Sequence, residues 1–160
     1  MPAFTVLIHT SNDALRLGRA LETLYPCDEI LVIDHGSHDH TVQIARESGA
    51  RVTAAENDAP ANHYAQIARN EWILCLDPRE SLTEGLAASL YEWRALPTET
   101  VIAVSFSVCL REETANGWFD SLTPQTRLVR RSWDRWHGWF PIHDPAARVL
   151  EGQLLRFSFP

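Results

Sequence analysis

The first part of the chain alternates between short apolar runs and longer stretches in which apolar residues recur every three or four positions. Runs of apolar and β-branched residues that are bounded by turn-forming residues predict buried strands. The four predicted strands are residues 4–10, 29–34, 51–55 and 71–77. Because these strands alternate with helices and are apolar at nearly every position, the pattern predicts a mostly parallel sheet flanked by helices on both faces.

The segments between the strands carry the signals that begin and end helices. The polar residues 11–13 are of the types that cap a helix N-terminus, and the helix that follows is predicted to end near Pro26. Further helices are predicted over residues 41–48 and 61–69. A Ser-Leu-Thr-Glu capping box at residues 81–84 predicts the start of a fourth helix.

The pattern changes after residue 100. Residues 101–110, 126–129 and 153–159 form β-type runs with no helical stripe between them. We therefore expect antiparallel strands added to the sheet in the last third of the chain. With 160 residues in all, the length fits one domain, and we treat residues 1–160 as a single unit.

Polar side chains follow three of the predicted strands. Thr10, Asn12 and Asp13 follow the first strand, Asp34 ends the second and Asp77 ends the fourth. Ligands of such sheets bind beyond the carboxyl ends of the strands, so three acids there favour a polar ligand. The alternative is that each aspartate only caps the helix after it.

The composition excludes some classes of partner and compartment. A net charge of −7 argues against nucleic acid, which needs a basic face. The three cysteines are far apart and form no C-x-x-C pair, which is typical of reduced thiols in the cytoplasm. The sequence shows no secretory leader and no apolar run long enough to span a bilayer, so we expect a cytoplasmic protein.

Several of these segments match motifs of a known family. The opening strand with its Thr10-Ser-Asn12-Asp13 turn resembles the Thr-x-Asn-Glu turn of family 2 glycosyltransferases. The stretch Asp34-His-Gly36-Ser37-His-Asp39-His-Thr41 is similar to that family's Asp-x-Gly-Ser-x-Asp-x-Thr turn. Residues 71–80 lie where the family carries Trp-Ile-Leu-x-Leu-Asp-Ala-Asp-Glu. Residues 127–131 and His143-Asp144 are similar to later motifs of the lipopolysaccharide-core glucosyltransferases within this family.

The resemblance implies a fold and a separate role for each half of the chain. It implies an α/β fold of the GT-A type that binds a nucleotide-diphospho-sugar, with UDP-sugars favoured. Residues 1–97 would be the nucleotide-binding half, and residues 98–160 a short acceptor-side half. Asp144 would be the catalytic base that deprotonates the acceptor hydroxyl, giving transfer with inversion. The residues that would bind the nucleotide are Thr10, Asn12, Asp13, Asp34, Gly36, Ser37 and Asp77.

The chain departs from the family's metal motif. In the family, the second aspartate of Asp-x-Asp ligates Mg²⁺ or Mn²⁺, but here Arg79 stands in that position beside Asp77. Arg156 stands where the family often has a histidine ligand. We therefore expect no metal, or one held only weakly by Asp77. Two interpretations remain open: Arg79 and Arg156 bind the diphosphate directly, or the domain no longer catalyses.

Two further clusters have alternative interpretations. Tryptophans 133, 136 and 139 are interleaved with arginines, and Trp136, Trp139 and Arg131 are candidates for an acceptor or membrane patch. The patch would contact an acceptor sugar or lipid-linked glycan, an anionic lipid headgroup at the inner membrane face, or a partner subunit. Alternatively, some of these tryptophans belong to the protein's own core. Histidines 35, 38 and 40 leave a His/Asp metal hydrolase as a third hypothesis, beside a transferase and a non-catalytic binding domain.

Overall fold

The computed structural model describes residues 1–98 and 101–160. The first half alternates strands with helices as the apolar pattern predicts. Its elements are β1 (Phe4–Thr10), α1 (Leu17–Glu22), β2 (Glu29–Asp34), α2 (Thr41–Glu47), β3 (Arg51–Ala54), α3 (Ala61–Ile67), β4 (Trp72–Leu76), β5 (Glu80–Leu82) and α4 (Glu84–Arg94). In the described part of the second half, all regular elements are strands: β6 (Ser105–Thr114), β7 (Gly117–Asp120), β8 (Gln125–Arg130), β9 (Trp136–His137), β10 (Phe140–Pro141) and β11 (Arg148–Arg156).

One large sheet carries most of these strands in the order β3-β2-β1-β4-β8-β6-β11-β5, with β7 beside β6. Strands β1 to β4 pair in parallel, and β8 joins β4 and β6 antiparallel to both. Strand β11 runs parallel to β6, whereas β5 is antiparallel to β11. The predicted α/β fold, with a mostly parallel sheet and antiparallel strands added late in the chain, is confirmed.

Apolar side chains on both faces of the sheet explain why the strands are apolar at nearly every position. Along β1, Phe4, Val6 and Ile8 belong to one buried cluster and Leu7 to a second. The first cluster also contains α4 and the second-half strands β6, β8 and β11, so both halves of the chain share it. Burial of this kind supplies most of the free energy that opposes unfolding.

Four details of the predicted elements are wrong. The strand predicted over residues 101–110 begins only at Ser105, although Val101 is buried, because burial alone does not make a strand. The last strand begins at Arg148 and ends at Arg156 rather than covering 153–159. Ser81 does not cap α4, since it lies in β5 and Thr83 is the cap, accepting a hydrogen bond from the Leu86 amide. Residues 11–13 do not cap α1 with a side chain.

No described helix has the length and apolar character needed to cross a bilayer.

Candidate functional site

The parallel pairing of the strands brings the predicted polar residues to one edge of the sheet. Thr10 of β1 lies level with Asp34 of β2, and Asp34 lies level with Ala54 of β3. On the other side of β1, β4 ends at Leu76, so Asp77 follows at the same edge. Because these strands end together, the loops that follow them lie along one edge of the sheet, where ligands of such sheets bind.

The loops after β1 and β2 hold each other through side-chain hydrogen bonds. The Ser37 hydroxyl donates to Asp34 Oδ1 at 2.5 Å and accepts from the Asn12 amide at 2.9 Å. Asn12 Oδ1 accepts from the His38 amide at 2.8 Å. Gly36 has a φ of +79°, a conformation that a side chain would disfavour, and this lets the chain turn sharply directly after Asp34. These hydrogen bonds link the predicted nucleotide-binding residues of the two loops to one another.

Asp13 is engaged in holding the turn after β1. Its Oδ2 accepts hydrogen bonds from the Thr10 hydroxyl at 2.7 Å and the Ser11 amide at 3.0 Å. Its own backbone amide donates to the Thr41 hydroxyl at the start of α2. Asp13 and Thr10 are thus hydrogen-bonded to each other, whereas Asp34 borders open space.

That open space is a cavity of about 610 Å³, here called the Asp34 cavity. Its volume lies in the range of small-molecule sites. It is bounded by the loop after β2, by the loop after β3 and by one side chain from the second half of the chain. The lining residues are Asp34, His35, Gly36, residues 54–59 and Trp139.

A group of four rings packs beside this cavity. His9 Nδ1 lies 2.8 Å from His35 Nε2, and the His9 ring stacks on Trp139 with ring centroids 4.1 Å apart. Tyr64 meets His9 and Trp139 edge-on, and its hydroxyl bonds the backbone of Glu56. Burial, together with the charge that His35 can carry, lowers the pKa of His9 to about 3. His9 is therefore neutral at physiological pH.

Asp77 is paired with Arg79, two residues further along the chain. Arg79 Nε donates to Asp77 Oδ1 at 2.9 Å, and the Arg79 amide donates to the same oxygen. Burial acts to raise the pKa of Asp77, but the hydrogen bonds and charge of Arg79, with the more distant charge of Arg156, outweigh it, so the pKa is lowered. Asp77 is thus an ionised carboxylate that already has a cation.

Glu80 lies at the centre of a buried charge network. It is fully buried, and its two oxygens accept from Arg127 Nη1 at 2.7 Å and Nη2 at 2.9 Å. Arg156 lies 3.0 Å from Glu80 and 3.3 Å from Glu112. Arg156 therefore pairs with two carboxylates, whereas Arg79 pairs with one among the described residues and is more exposed.

These residues do not fit a divalent cation. Mg²⁺ and Mn²⁺ need several oxygen ligands, but the Asp77 carboxylate is bound by Arg79 and the Glu80 carboxylate by Arg127. Among the described residues, no group of three or more His, Cys, Asp or Glu side chains converges as a metal site would. Histidines 35, 38 and 40 therefore give no geometric support to the hydrolase hypothesis.

Asp144 lies in the second half and is 6% exposed. Its Oδ2 accepts from the Ser105 hydroxyl at 2.7 Å, its Oδ1 accepts from the Ala146 amide, and its own amide donates to the Thr126 hydroxyl. The Ser105 hydroxyl is the largest of the influences that lower the pKa of Asp144, so the side chain is ionised. Thr126 and His143 also line a second cavity of about 480 Å³, here called the His143 cavity.

The residues of the predicted aromatic and basic patch have different surroundings. Arg131 donates from Nη1 to the Ala68 carbonyl, and Trp136 donates from its indole to the Trp133 carbonyl while packing against the core. Trp139 borders the Asp34 cavity. Binding of this patch to a membrane or acceptor stays a prediction.

The sequence patterns gave no role to His9 or Tyr64, and Arg127 entered only as the first residue of the motif over residues 127–131. Two of them left a signal, since His9 interrupts an apolar strand and Arg127 lies between apolar positions of β8. A polar residue in a buried strand needs a partner, so each pointed to an unidentified contact.

Comparison with known proteins bears on this arrangement. The family model described as "Glycosyl transferase family 2" matches residues 5–148, which covers the sheet edge, the Asp34 cavity and Asp144. The chain belongs to this family.

Curated relatives are similar over part of the chain. A TPR repeat-containing protein of Synechococcus elongatus is 37% identical over 109 residues, which are 64% of this chain and 24% of that protein. An uncharacterized glycosyltransferase of Rickettsia felis is 33% identical over 90 residues, which are 54% of this chain and 32% of the relative. This glycosyl transferase family 2 chain thus spans about a quarter to a third of the length of these relatives.

Solved structures have the same fold. S. aureus TarS (residues 1–349) superimposes with a TM-score of 0.61 at 16% identity, over 82% of this chain and 48% of TarS. Mannosyl-3-phosphoglycerate synthase from Rubrobacter xylanophilus gives a TM-score of 0.52 at 18% identity, over 70% of this chain and 40% of the synthase. These similarities support the GT-A fold.

Proposed function

We propose that this domain binds a nucleotide-diphospho-sugar, preferably a UDP-sugar, and transfers the sugar to an acceptor hydroxyl with inversion. The observation that carries the proposal is the Asp34 cavity, which lies beyond the carboxyl ends of β2 and β3 in a domain of glycosyl transferase family 2. Asp34 would accept a hydrogen bond from a ring N–H of the base. Gly36 and Ser37 would contribute the turn, with Thr10, Asn12 and Asp13 supporting it.

The diphosphate would lie near Asp77 and Arg79. Arg79 is partly exposed, and its guanidinium offers donors that fit phosphate oxygens. Arg156 is a second candidate, although Glu80 and Glu112 already hold it. Two arginines would stabilise the departing diphosphate without a metal ion.

Asp144 would act as the general base. In the transfer step, the acceptor oxygen forms a bond to the anomeric carbon, the bond from that carbon to the diphosphate oxygen breaks, and the acceptor proton moves to Asp144. The bonds from Ser105 and the Ala146 amide hold the carboxylate in one orientation. Attack from the face opposite the leaving group would give inversion.

The acceptor would occupy the His143 cavity, and the resemblance to lipopolysaccharide-core enzymes favours a sugar or a lipid-linked glycan. Trp136 and Arg131, with Trp139, are the residues on which contact with such an acceptor or with the cytoplasmic membrane face would depend. We therefore propose a cytoplasmic protein with peripheral membrane contact.

A thermal-shift panel of UDP-, GDP- and dTDP-sugars, with and without Mn²⁺, tests nucleotide binding. A ligand that binds only the folded state raises the unfolding midpoint. We expect the largest rise with UDP-sugars, and no rise with any nucleotide would overturn the proposal. Turnover of a radiolabelled UDP-sugar then separates a transferase from a binding domain.

The alternative function is a non-catalytic nucleotide-binding or interaction domain. The observation that favours it is that two of the predicted site carboxylates are already bound by the protein: Asp77 is paired with Arg79, and both Asp144 oxygens accept hydrogen bonds. Nucleotide binding without turnover would support this alternative.

A further inference from the structure

Trp139 reaches the Asp34 cavity from a separate part of the chain. It occupies the tip of the hairpin formed by β9 and β10, which is joined by Gly138 and Trp139. Gly138 has a φ of +58°, which allows the two-residue turn. All other residues that line this cavity come from the first half, 34–59.

The packing of Trp139 fixes its orientation. Its ring lies nearly parallel to His9, at an interplanar angle of 12°, and meets Tyr64 nearly at a right angle, at 78°. Even so, 37% of the residue is exposed. A tryptophan that is held by other rings and still exposed in a cavity offers a rigid flat surface to a ligand.

The charges around the cavity indicate which part of a ligand fits there. Its described lining includes the carboxylates of Asp34, Glu56 and Asp58, but no arginine or lysine. Phosphate groups would be repelled from such a surface. A flat, uncharged ring with N–H donors suits both the carboxylates and the indole.

We propose that Trp139 is the stacking wall of the nucleobase site, so that the base lies against the indole with its N–H edge toward Asp34. The assignment rests on the proposed nucleotide-binding function and adds a specificity-determining residue from the acceptor-side half. In this assignment the base lies at the Asp34 cavity and the diphosphate lies toward Arg79.

Titration calorimetry with UDP tests the assignment on three variants. Trp139→Leu keeps apolar bulk but removes the flat ring, and we expect it to weaken UDP binding about tenfold, the scale of base–aromatic stacking. Trp139→Phe restores a ring and should bind within about threefold of the wild type. Trp118→Leu is the matched control, since Trp118 packs on Phe157 away from the cavity, and it should bind as the wild type does.

The outcomes separate this assignment from the proposed function. If the wild type binds UDP and Trp139→Leu binds equally well, stacking on Trp139 is refuted and nucleotide binding stands. If Trp139→Phe is as weak as Trp139→Leu, the residue acts only through hairpin packing, and the assignment is again refuted. If the wild type binds neither UDP, GDP nor dTDP, the proposed function and this assignment both fail. Circular dichroism of each variant checks that it is folded.

Discussion

Asp34 ends β2 and Asp77 follows β4, so both lie at the same edge of the sheet. Their carboxylates nevertheless have different partners. Asp34 accepts from Ser37, and a carboxylate has capacity for further hydrogen bonds. Asp77 has a guanidinium within 2.9 Å and so has its charge already compensated. Asp34 can therefore accept a further hydrogen bond from an uncharged ligand group. Asp77 is already in an ion pair, and the exposed part of that pair is Arg79.

Removal of the Asp34 carboxylate tests the first of these roles. We expect Asp34→Ala to abolish the UDP-dependent rise in the unfolding midpoint, because the base loses its acceptor, while the protein stays folded. Asp120→Ala is the control, since Asp120 is exposed on β7 and lies 3.8 Å from Arg111. An unchanged UDP-dependent rise in Asp34→Ala would show that the base lies elsewhere.

Substitution of Arg79 tests the role of the Asp77–Arg79 pair. We expect the UDP affinity of the wild type to change little when Mn²⁺ is added or EDTA is present, because a guanidinium stands where a metal ligand is needed. Arg79→Asp restores the family's Asp-x-Asp and should make binding depend on Mn²⁺. Titration calorimetry on both proteins decides the point, and a wild-type affinity that collapses in EDTA would contradict us.

Among the elements, β8 connects the two halves of the sheet. It lies between β4 and β6, and its Arg127 donates hydrogen bonds to the Glu80 carboxylate of β5 and to the Cys75 carbonyl of β4. The Arg127 guanidinium also lies over the Phe140 ring. Removal of Glu80 would leave the buried Arg127 guanidinium without its carboxylate, and removal of Arg127 would leave the buried Glu80 with the partly exposed Arg156 as its cation.

Substitutions in β8 should reveal this dependence. We expect Arg127→Met to lower the free energy of unfolding by about 3–5 kcal/mol, the usual loss for one partner of a buried pair. Adding Glu80→Gln to Arg127→Met should recover part of that loss. Arg130→Met, on the same strand but partly exposed, should cost no more than about 1 kcal/mol. Urea denaturation of the four proteins measures these differences, and equal losses at positions 127 and 130 would contradict the buried-pair assignment.

The elements also show what the sequence could predict. Strands β1, β2 and β4 were predictable because each is an apolar run between clear turn signals, and their shared edge followed from parallel pairing. Strand β5 was not predictable, because its three residues are too few to show an alternation of apolar and polar positions. Its partner β11 also lies far away, near the end of the chain. The motif turns located Asp34 and Gly36, but the approach of Trp139 depends on how the hairpin packs against His9, which no local pattern records.

For the molecule as a whole, the buried ring cluster makes stability depend on pH. The unfolded chain takes up a proton on His9 near pH 6.5, whereas the pKa of folded His9 is about 3. Because the unfolded state then binds more protons below pH 6.5, a falling pH favours unfolding.

The contribution of His9 is best measured between pH 5 and 7.5, because most carboxylates titrate below that range. We expect the free energy of unfolding to fall by as much as roughly 1 kcal/mol per pH unit as the pH drops from 6.5 to 5. His9→Asn cannot take up that proton and should show a flatter dependence. Urea denaturation at several pH values measures both slopes, and identical slopes would mean that His9 titrates normally.

The charge distribution of the molecule permits only weak attraction to a membrane. The net charge is −7, yet Arg131, Arg135 and Trp136 lie close together in the second half. We expect partial co-sedimentation with anionic vesicles at low salt, none with neutral vesicles, and loss at high salt. Arg135→Gln should reduce the bound fraction, because it removes one of these positive charges. Failure to pellet with anionic vesicles at low salt would remove the membrane contact from the proposal.

The Glu80 network has a consequence for the order in which the chain is made. Glu80 is separated from Arg127 by 47 positions and from Arg156 by 76, so a ribosome has released the whole first half before either cation emerges. Until then neither arginine can pair with the carboxylate, and the edge of β4 that β8 later covers is open to other chains. A truncated chain of residues 1–97 would hold nearly every residue around the Asp34 cavity and still be a poor protein to express, because the charges and the strand that complete its core come last.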